Sequence, residues 1–271
     1  MVSPVVDAGW LSDHPEAVLA DVRWYADGRS GLEAYERGHL PGAVFVDLDR
    51  WLAAPASPAA GRHPLPDPGV FAEGMRQAGI ADGDTVVAYD DDSGAIAARL
   101  VWMLRVTGHQ AALLDGGFTG WRGRRESGPV NRPADPLTSG FTARPWPADR
   151  LATIDDVAAP GVTLLDARPG ERYRGELEPL DARPGHIPGA RNVPCRDNVD
   201  HHGALLPLHQ LRARLAEAGV GRDGDWVSSC GSGVTACHTL LLAEHLGLAP
   251  GRLYVGSWSQ WSHTDRPAAT T

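Results

Sequence analysis

The residue best suited to nucleophilic chemistry in this sequence is the cysteine at position 230. A strand-like run, 226–229, leads into Cys230, and the six residues from there read Cys-Gly-Ser-Gly-Val-Thr. Glycines allow the backbone to curl so that successive N–H groups point inward and bind an anion. A helix that follows would direct the positive end of its dipole at the same point, which favours the reactive thiolate. We therefore predict that Cys230 is a nucleophile at the carboxyl end of a strand, where open α/β sheets bind their ligands.

A cysteine at a strand end can also be no more than a small buried side chain. For Cys230, the Gly-Ser-Gly sequence and the predicted helix after it favour the nucleophile over this structural role. Cys237 lies about two helical turns further on and is interpreted as a core cysteine on the buried face of that helix. A cysteine-dependent phosphatase would need an arginine six residues after its cysteine. Ala236 stands at that position, which disfavours that class of enzyme.

Internal repeats indicate how the chain positions this loop. The box Gly-His-Leu-Pro-Gly-Ala at 38–43 recurs as Gly-His-Ile-Pro-Gly-Ala at 185–190. An acid-x-Arg triplet precedes each box, an Asp-Gly-Asp triplet follows it, and each copy closes on a glycine-rich turn with tryptophan. Matched features in the same order indicate two homologous domains. We predict domains at 1–127 and 149–271, joined by a linker at 128–148 that is rich in Pro, Gly, Ser and Arg.

Short apolar runs alternate with helical patterns along both copies. This alternation is typical of α/β folds in which a mainly parallel sheet is flanked by helices. We therefore predict two tandem α/β domains of this class. The predicted strands include 19–22, 44–46, 86–89 and 112–114, and the predicted helices include 95–106 and 234–246.

Composition argues against several classes of partner and compartment. A net charge of −9, from 25 basic and 34 acidic residues, argues against binding to nucleic acid or to an anionic membrane. Three cysteines without regular spacing indicate neither a disulfide framework nor a zinc site, so we expect no metal and a reduced, cytoplasmic compartment. The N-terminal residues lack the basic start and apolar run of a signal peptide, and the apolar runs are too short to span a membrane.

The loop and the repeated boxes resemble those of the rhodanese family, and the whole chain is similar to tandem-rhodanese sulfurtransferases. The run Glu-Arg-Tyr-Arg-Gly at 171–175 adds to this resemblance. The cysteine loop is similar to that of 3-mercaptopyruvate sulfurtransferases, because thiosulfate-type members usually have cationic residues where this chain has Gly231 and Ser232. In such enzymes only the second domain has the cysteine. The first copy here has Tyr-Asp-Asp at the matching strand end, 89–91, and no thiol.

The resemblance also implies a set of site residues. Ser232 matches the family's loop serine, His63 its partner histidine, and Asp49 the aspartate that orients this histidine in a proton relay. His63 can also be read as a loop histidine beside prolines, and Asp49 as a turn or cap residue. Arg172 matches an arginine that holds the donor's anionic group, whereas the family's second arginine has no clear equivalent and Arg183 is the nearest candidate. The loop residues expected to line the donor site are Gly231, Gly233, Val234 and Thr235.

The activity implied by the resemblance is a double displacement at Cys230. The thiolate would take sulfur from 3-mercaptopyruvate as a persulfide and pass it to cyanide, a thiol or thioredoxin, without a cofactor. Two alternatives are open, namely thiosulfate:cyanide sulfurtransfer by the same cysteine and a non-catalytic sulfur-carrier or regulatory module. We expect a monomer, because the two domains already form a pseudo-dimer that closes the site.

Overall fold

The chain groups into two compact units in the computed structural model, which describes residues 1–130, 132 and 140–271. The first unit comprises Met1–Ala54, Pro66–Trp146 and His201–Ala204, and the second comprises Pro55–Leu65, Pro147–Asp200 and Leu205–Thr271. The short segment Pro55–Leu65 therefore packs with the second unit, although it lies early in the sequence. The centre of the predicted linker, 131 and 133–139, falls outside the described residues.

A five-stranded sheet forms the centre of the first unit. Its strands are β1 (Val5–Val6), β2 (Val18–Asp21), β3 (Val44–Phe45), β4 (Thr85–Tyr89) and β5 (Gln110–Leu114). They follow the order β1-β5-β4-β2-β3, and every neighbouring pair is parallel. The central strands are rich in Val, Ala and Leu and almost wholly buried, as expected for strands covered on both faces.

Short helices with local sequence signals connect these strands. They are α1 (Ala8–Asp13), α2 (Gly31–Arg37), a π-helical turn (Leu48–Leu52), α3 (Pro68–Gln77), α4 (Ala98–Val106) and α5 (Gly117–Gly120). Ser30 caps α2 by accepting the N–H of Glu33, and Asp67 caps α3, which begins with a proline. α4 is buried along nearly its whole length, and its residues other than Arg99 and Arg105 are apolar.

The second unit repeats this architecture. Its strands are β6 (Leu151–Ala152), β7 (Thr163–Asp166), β8 (Arg191–Asn192), β9 (Trp226–Ser229) and β10 (Arg252–Tyr254). They pair in parallel in the order β6-β10-β9-β7-β8, which matches the first sheet strand for strand. The helices are α6 (Ile154–Ala158), α7 (Gly170–Arg174), α8 (Leu208–Glu217), α9 (Ala236–His245) and α10 (Ser257–Trp261), with 3₁₀ turns at Ala148–Arg150 and Cys195–Asn198.

The predicted fold class of two tandem parallel α/β domains is confirmed. The two long predicted helices begin later than the sequence pattern indicated, since α4 starts at Ala98 rather than 95 and α9 at Ala236 rather than 234. In both places the residues before the helix form the loop that follows a central strand. Apolar residues of these loops are buried like helix residues, so hydrophobicity alone does not separate the two.

The repeated acid-x-Arg triplets form matching buried ion pairs. Arg23 binds Asp21 at 2.7 Å and donates to the carbonyl of Gly38 in the first box. Arg168 binds Asp166 at 2.7 Å and donates to the corresponding carbonyl in the second box. Each triplet therefore connects a strand end to its box. Removal of either charged partner would leave the other charge buried and uncompensated, which is strongly destabilising.

The histidines of the two boxes have equivalent contacts. The Nδ1 atom of His39 lies 2.9 Å from the carbonyl oxygen of Tyr35, whose ring stacks on the imidazole. His186 repeats both contacts with Tyr173. These histidines hold the boxes against the preceding helices.

In the part of the chain that the structure describes, no helix has the length and apolar character needed to cross a membrane.

Candidate active site

Cys230 lies between the end of β9 and the start of α9, at the carboxyl edge of the second sheet. Its side chain is buried, with 2% of the residue's surface exposed. The N–H of Gly233 donates to the Sγ atom of Cys230 at 3.1 Å. An N–H directed at sulfur stabilises the anionic thiolate, as does the amino end of α9, which begins just beyond the loop. The sequence-based placement of the thiol at a strand end before a helix therefore agrees with the structure.

Gly233 shows why the loop needs glycine at this point. Its φ angle is +75°, in the left-handed region, and an added Cβ would lie only 2.6 Å from the carbonyl oxygen of Val255. A side chain here would force the loop away from β10 and move the N–H that contacts the sulfur. Val234 and Thr235 complete the turn into α9, since their carbonyls accept the N–H groups of Cys237 and His238. The Sγ–H of Cys237 is directed at the carbonyl of Gly233.

The turn between β10 and α10 fixes the other side of the loop. Ser257 Oγ accepts the N–H of Cys230 at 3.1 Å and donates to the carbonyl of Tyr254 at 2.8 Å. The N–H groups of Trp258 and Ser259 donate to the carbonyls of Cys230 and Gly231. Ser257 has a φ of +50°, which is uncommon for a residue with a side chain. Sequence reasoning missed this residue, although the glycine-rich turn with tryptophan that contains it was recognised as part of the repeat.

Ser232 and His63 form a buried polar pair beside the nucleophile. The Oγ atom of Ser232 lies 2.8 Å from Nδ1 of His63, and both residues are at most 7% exposed. His63 belongs to Pro55–Leu65, the segment that packs with the second unit. When the neutral imidazole has its proton on Nε2, the serine hydroxyl donates to Nδ1. This pair can then move a proton to or from a group bound near the sulfur.

Asp49 lies in the π-helical turn of the first unit, and the indole N–H of Trp24 donates to its Oδ2 atom at 2.8 Å. Its expected role, to orient His63, stays a prediction.

The two arginines predicted to bind the donor have different surroundings. Nη2 of Arg172 binds Glu178 at 2.6 Å and Asp181 at 2.8 Å. Nη1 of Arg172 lies 3.4 Å from the position that a Cβ on Gly231 would take, so this guanidinium reaches the cysteine loop. The Arg183 guanidinium donates to the carbonyl of Arg266 and sits near the ring of Trp258. These contacts tie Arg183 to the C-terminal segment, and its donor-binding role stays a prediction.

Among the residues that the structure describes, no group of three or more His, Cys, Asp or Glu side chains is arranged to hold a metal ion. The groups at this edge of the sheet are a thiol, a loop of backbone N–H groups, a serine–histidine pair and guanidinium groups.

The chain belongs to the rhodanese-like domain family. The family model matches it twice, over residues 7–124 and 151–264, so each half of the sequence carries one copy. Two copies within one chain agree with the two equivalent sheets and with the repeated boxes.

Characterised and named relatives cover nearly the whole chain. A probable 3-mercaptopyruvate sulfurtransferase of Pseudomonas aeruginosa is 40% identical over 268 residues, which is 94% of this chain and 93% of that protein. A putative thiosulfate sulfurtransferase of Mycobacterium tuberculosis is 39% identical over 260 residues, covering 94% and 91%. The crystal structure of a 3-mercaptopyruvate sulfurtransferase from Escherichia coli is 34% identical with a TM-score of 0.80, and the match covers 95% of this chain and 100% of that chain.

Proposed function

We propose that this protein is a sulfurtransferase that moves sulfur from 3-mercaptopyruvate, through a persulfide on Cys230, to a thiophilic acceptor. The observation that carries the proposal is the Cys230 sulfur held by the Gly233 N–H, next to the Ser232–His63 pair. A nucleophile, an anion-binding loop and a proton-transfer pair are the groups that such a reaction needs. The names of full-length relatives support the same activity.

In the first half-reaction, the Cys230 thiolate attacks the sulfur of 3-mercaptopyruvate. The new S–S bond forms as the C–S bond of the donor breaks, and the electron pair of that bond leaves on carbon as the enolate of pyruvate. The proton of the donor thiol ends on that carbon, which gives pyruvate and the anionic Cys230 persulfide. Backbone N–H groups of the loop stabilise the persulfide charge.

The Ser232–His63 pair supplies the proton path of this step. The enolate carbon must gain a proton for pyruvate to leave. Nδ1 of His63 takes the proton of the donor thiol through the Ser232 hydroxyl, and the resulting imidazolium returns it through the same hydroxyl to the carbon. We expect Ser232→Ala to slow persulfide formation by about 10²-fold or more, whereas sulfur transfer from a preformed persulfide to cyanide changes less.

In the second half-reaction, an acceptor attacks the outer sulfur and releases the Cys230 thiolate. Cyanide gives thiocyanate, and a small thiol or thioredoxin gives its own persulfide. We propose the cytoplasm as the compartment, because the three cysteines are free thiols and the reaction needs a reduced one. A monomer is proposed for the assembly.

Thiosulfate is the second candidate donor, favoured by the name of the mycobacterial relative. With thiosulfate, the S–S bond of the donor breaks and sulfite leaves, so no enolate forms and no carbon needs a proton. Arg172 can bind either a carboxylate or a sulfonate-like group.

The test compares the two donors on the purified protein. We expect 3-mercaptopyruvate to release pyruvate much faster than thiosulfate releases sulfite, and intact-mass analysis to show the addition of one sulfur atom that Cys230→Ala abolishes. Faster sulfite release would reverse the choice of donor. Sulfur transfer undiminished in Cys230→Ala would overturn both the mechanism and the assignment of the site. Absence of sulfur transfer by the wild type with either donor would favour the non-catalytic module.

A further inference from the structure

A second guanidinium group, that of Arg62, lies against the cysteine loop together with Arg172. A Cβ placed on Gly231 would lie 3.0 Å from Nη2 of Arg62 and 3.4 Å from Nη1 of Arg172. Both cations therefore converge on the residue that directly follows the nucleophile. The side chain of Arg62 is 26% exposed and that of Arg172 is 13% exposed, so the pair is open to solvent yet mostly enclosed.

Asp181 fixes the two arginines side by side. Its Oδ1 atom binds Nη1 of Arg62 at 2.5 Å, and its Oδ2 atom binds Nη2 of Arg172 at 2.8 Å. Asp181 is 1% exposed, and Glu178 beside it also binds Arg172. Two buried carboxylates thus compensate the positive charges, which allows two guanidinium groups to stand close together before any ligand binds. The nitrogens nearest Gly231 are the ones that do not bind Asp181.

The backbone of Arg62 is held as firmly as its side chain. Its N–H donates to Ser259 Oγ at 2.9 Å, and the N–H of Ser259 donates to the carbonyl of Gly231. Gly61 packs so tightly on the same turn that an added Cβ would lie 2.7 Å from the carbonyl oxygen of Gly256. Arg62 is therefore a positioned residue, connected to the cysteine loop through one serine.

The Arg172 guanidinium has one N–H whose hydrogen bonding is incomplete. Its Nε atom is buried and has no hydrogen-bond partner among the described residues. A buried N–H without a partner costs free energy.

We propose that Arg62 and Arg172 together bind the carboxylate of the sulfur donor, and that Asp181 is a positioning residue for both. The proposal rests on the proposed sulfurtransferase function and names the residue that selects an anionic donor at that site. Asp181 stands in the segment 178–183, where the sequence offered no clear second arginine, and Arg62 brings the second cation from a distant part of the chain. Two forked cations favour a planar carboxylate over an uncharged group.

The test compares 3-mercaptopyruvate with mercaptoacetone, which has the same thiol and ketone but no carboxylate. We expect Arg62→Ala to lower kcat/KM for 3-mercaptopyruvate by about 10- to 100-fold, mainly through KM, because a charge-assisted hydrogen bond is lost. Turnover of mercaptoacetone to acetone should change by about twofold or less, since that donor has no group for Arg62 to bind. Arg62→Lys should restore part of the preference for the anionic donor.

The exposed residue Arg222 provides a control, because it precedes the amino end of β9 whereas the cysteine loop follows the carboxyl end. Arg222→Ala removes the same charge and should leave both donors unaffected. If Arg62→Ala does not fold, Arg62→Gln keeps an N–H that can bind Asp181. The two donors are then compared with that variant. An equal loss for both donors, or no loss for either, overturns the role of Arg62. Failure of the wild-type protein to form any Cys230 persulfide with 3-mercaptopyruvate instead overturns the proposed function.

Discussion

The loop after β4 in the first unit and the loop after β9 in the second unit occupy equivalent positions. They differ in the side chain that contacts their backbone N–H groups. Each follows a central strand and curls before a buried helix. In the first loop, the carboxylate of Asp90 accepts four backbone N–H groups at 2.7–2.8 Å, those of Asp92, Gly94, Ile96 and Ala97. In the second loop, Cys230 takes the place of Asp90, and the Gly233 N–H contacts its sulfur. In the first unit a carboxylate binds these loop N–H groups, whereas in the second unit the Cys230 sulfur lies at the matching place.

The turns that pack against these two loops differ at one equivalent position, which is Gly117 in the first unit and Ser257 in the second. Gly117 and Ser257 both have a φ of +50°, and the residue after each donates its N–H to the carbonyl of Asp90 or Cys230. An added Cβ on Gly117 would lie 2.6 Å from the Asp90 carbonyl oxygen, so glycine is required in the first unit. In the second unit a serine fits, and its hydroxyl accepts the N–H of the nucleophile. The two loops therefore differ in whether a carboxylate of the chain itself binds the backbone N–H groups.

The largest effect is expected from Cys230→Asp, which gives the second loop the side chain of the first. Sulfur transfer should fall to the level of the uncatalysed reaction, because the thiol is lost and a carboxylate occupies the N–H groups. Thiocyanate formation measures the loss, and circular dichroism checks that the fold is kept. Cys195→Ala, in the 3₁₀ turn outside the loop, should retain activity. Substantial turnover by Cys230→Asp would contradict the assignment of the nucleophile.

The converse change in the first unit, Asp90→Ala, should destabilise the protein. Four N–H groups, three of them buried, lose their acceptor, and we expect the free energy of unfolding to fall by about 3–5 kcal/mol. Urea denaturation measures it. Asp90→Asn keeps one acceptor oxygen and should cost less. If Asp90→Ala were as stable as the wild type, the carboxylate would not be what holds the first loop.

A smaller effect concerns pH. Burial raises the pKa of Asp90 from its ordinary value of 3.8 to about 6, against the opposing effect of the N–H groups. Because the folded state binds the proton more tightly than the unfolded chain, this contribution to stability is fully present below pH 3.8 and is lost as the pH rises through about 6. The stability of the wild type relative to Asp90→Asn should therefore decline between these pH values. A constant difference across that range, measured by urea denaturation, would argue against the raised pKa.

The smallest effect is expected from Ser257→Ala, which removes the support that the second turn gives to Cys230. The Cys230 N–H loses its acceptor, and kcat/KM should fall by about 10-fold, corresponding to roughly 1–2 kcal/mol. Ser257→Gly, which copies the first unit, serves as the matched variant because it relieves the positive φ but also lacks the hydroxyl. Full activity in both variants would show that this hydrogen bond does not position the nucleophile.

Local sequence patterns were sufficient to predict the architecture and the position of Cys230 between a strand and a helix. Apolar runs and repeats fixed the strands, and glycines around a cysteine indicated an anion-binding loop, because these features depend on neighbouring residues. The helix starts were displaced, since loop residues such as Val234 are buried like helix residues.

Long-range contacts could not be predicted in this way. The contact of Arg62 with Asp181 joins residues 119 positions apart, so no pattern of neighbouring residues indicates it. Nor did the Tyr-Asp-Asp sequence show that the Asp90 carboxylate turns back into its own loop, since that depends on backbone angles of the residues after it.

The segment Pro55–Leu65 has a consequence for the history of the duplication. It comes from the first half of the gene yet packs in the second unit, where it supplies His63 and Arg62. A deletion that removed the first copy would also remove both residues. A gene split at the predicted linker would separate the cysteine loop from the segment that contains His63 and Arg62. The second unit therefore keeps these residues only when both copies are inherited as one chain.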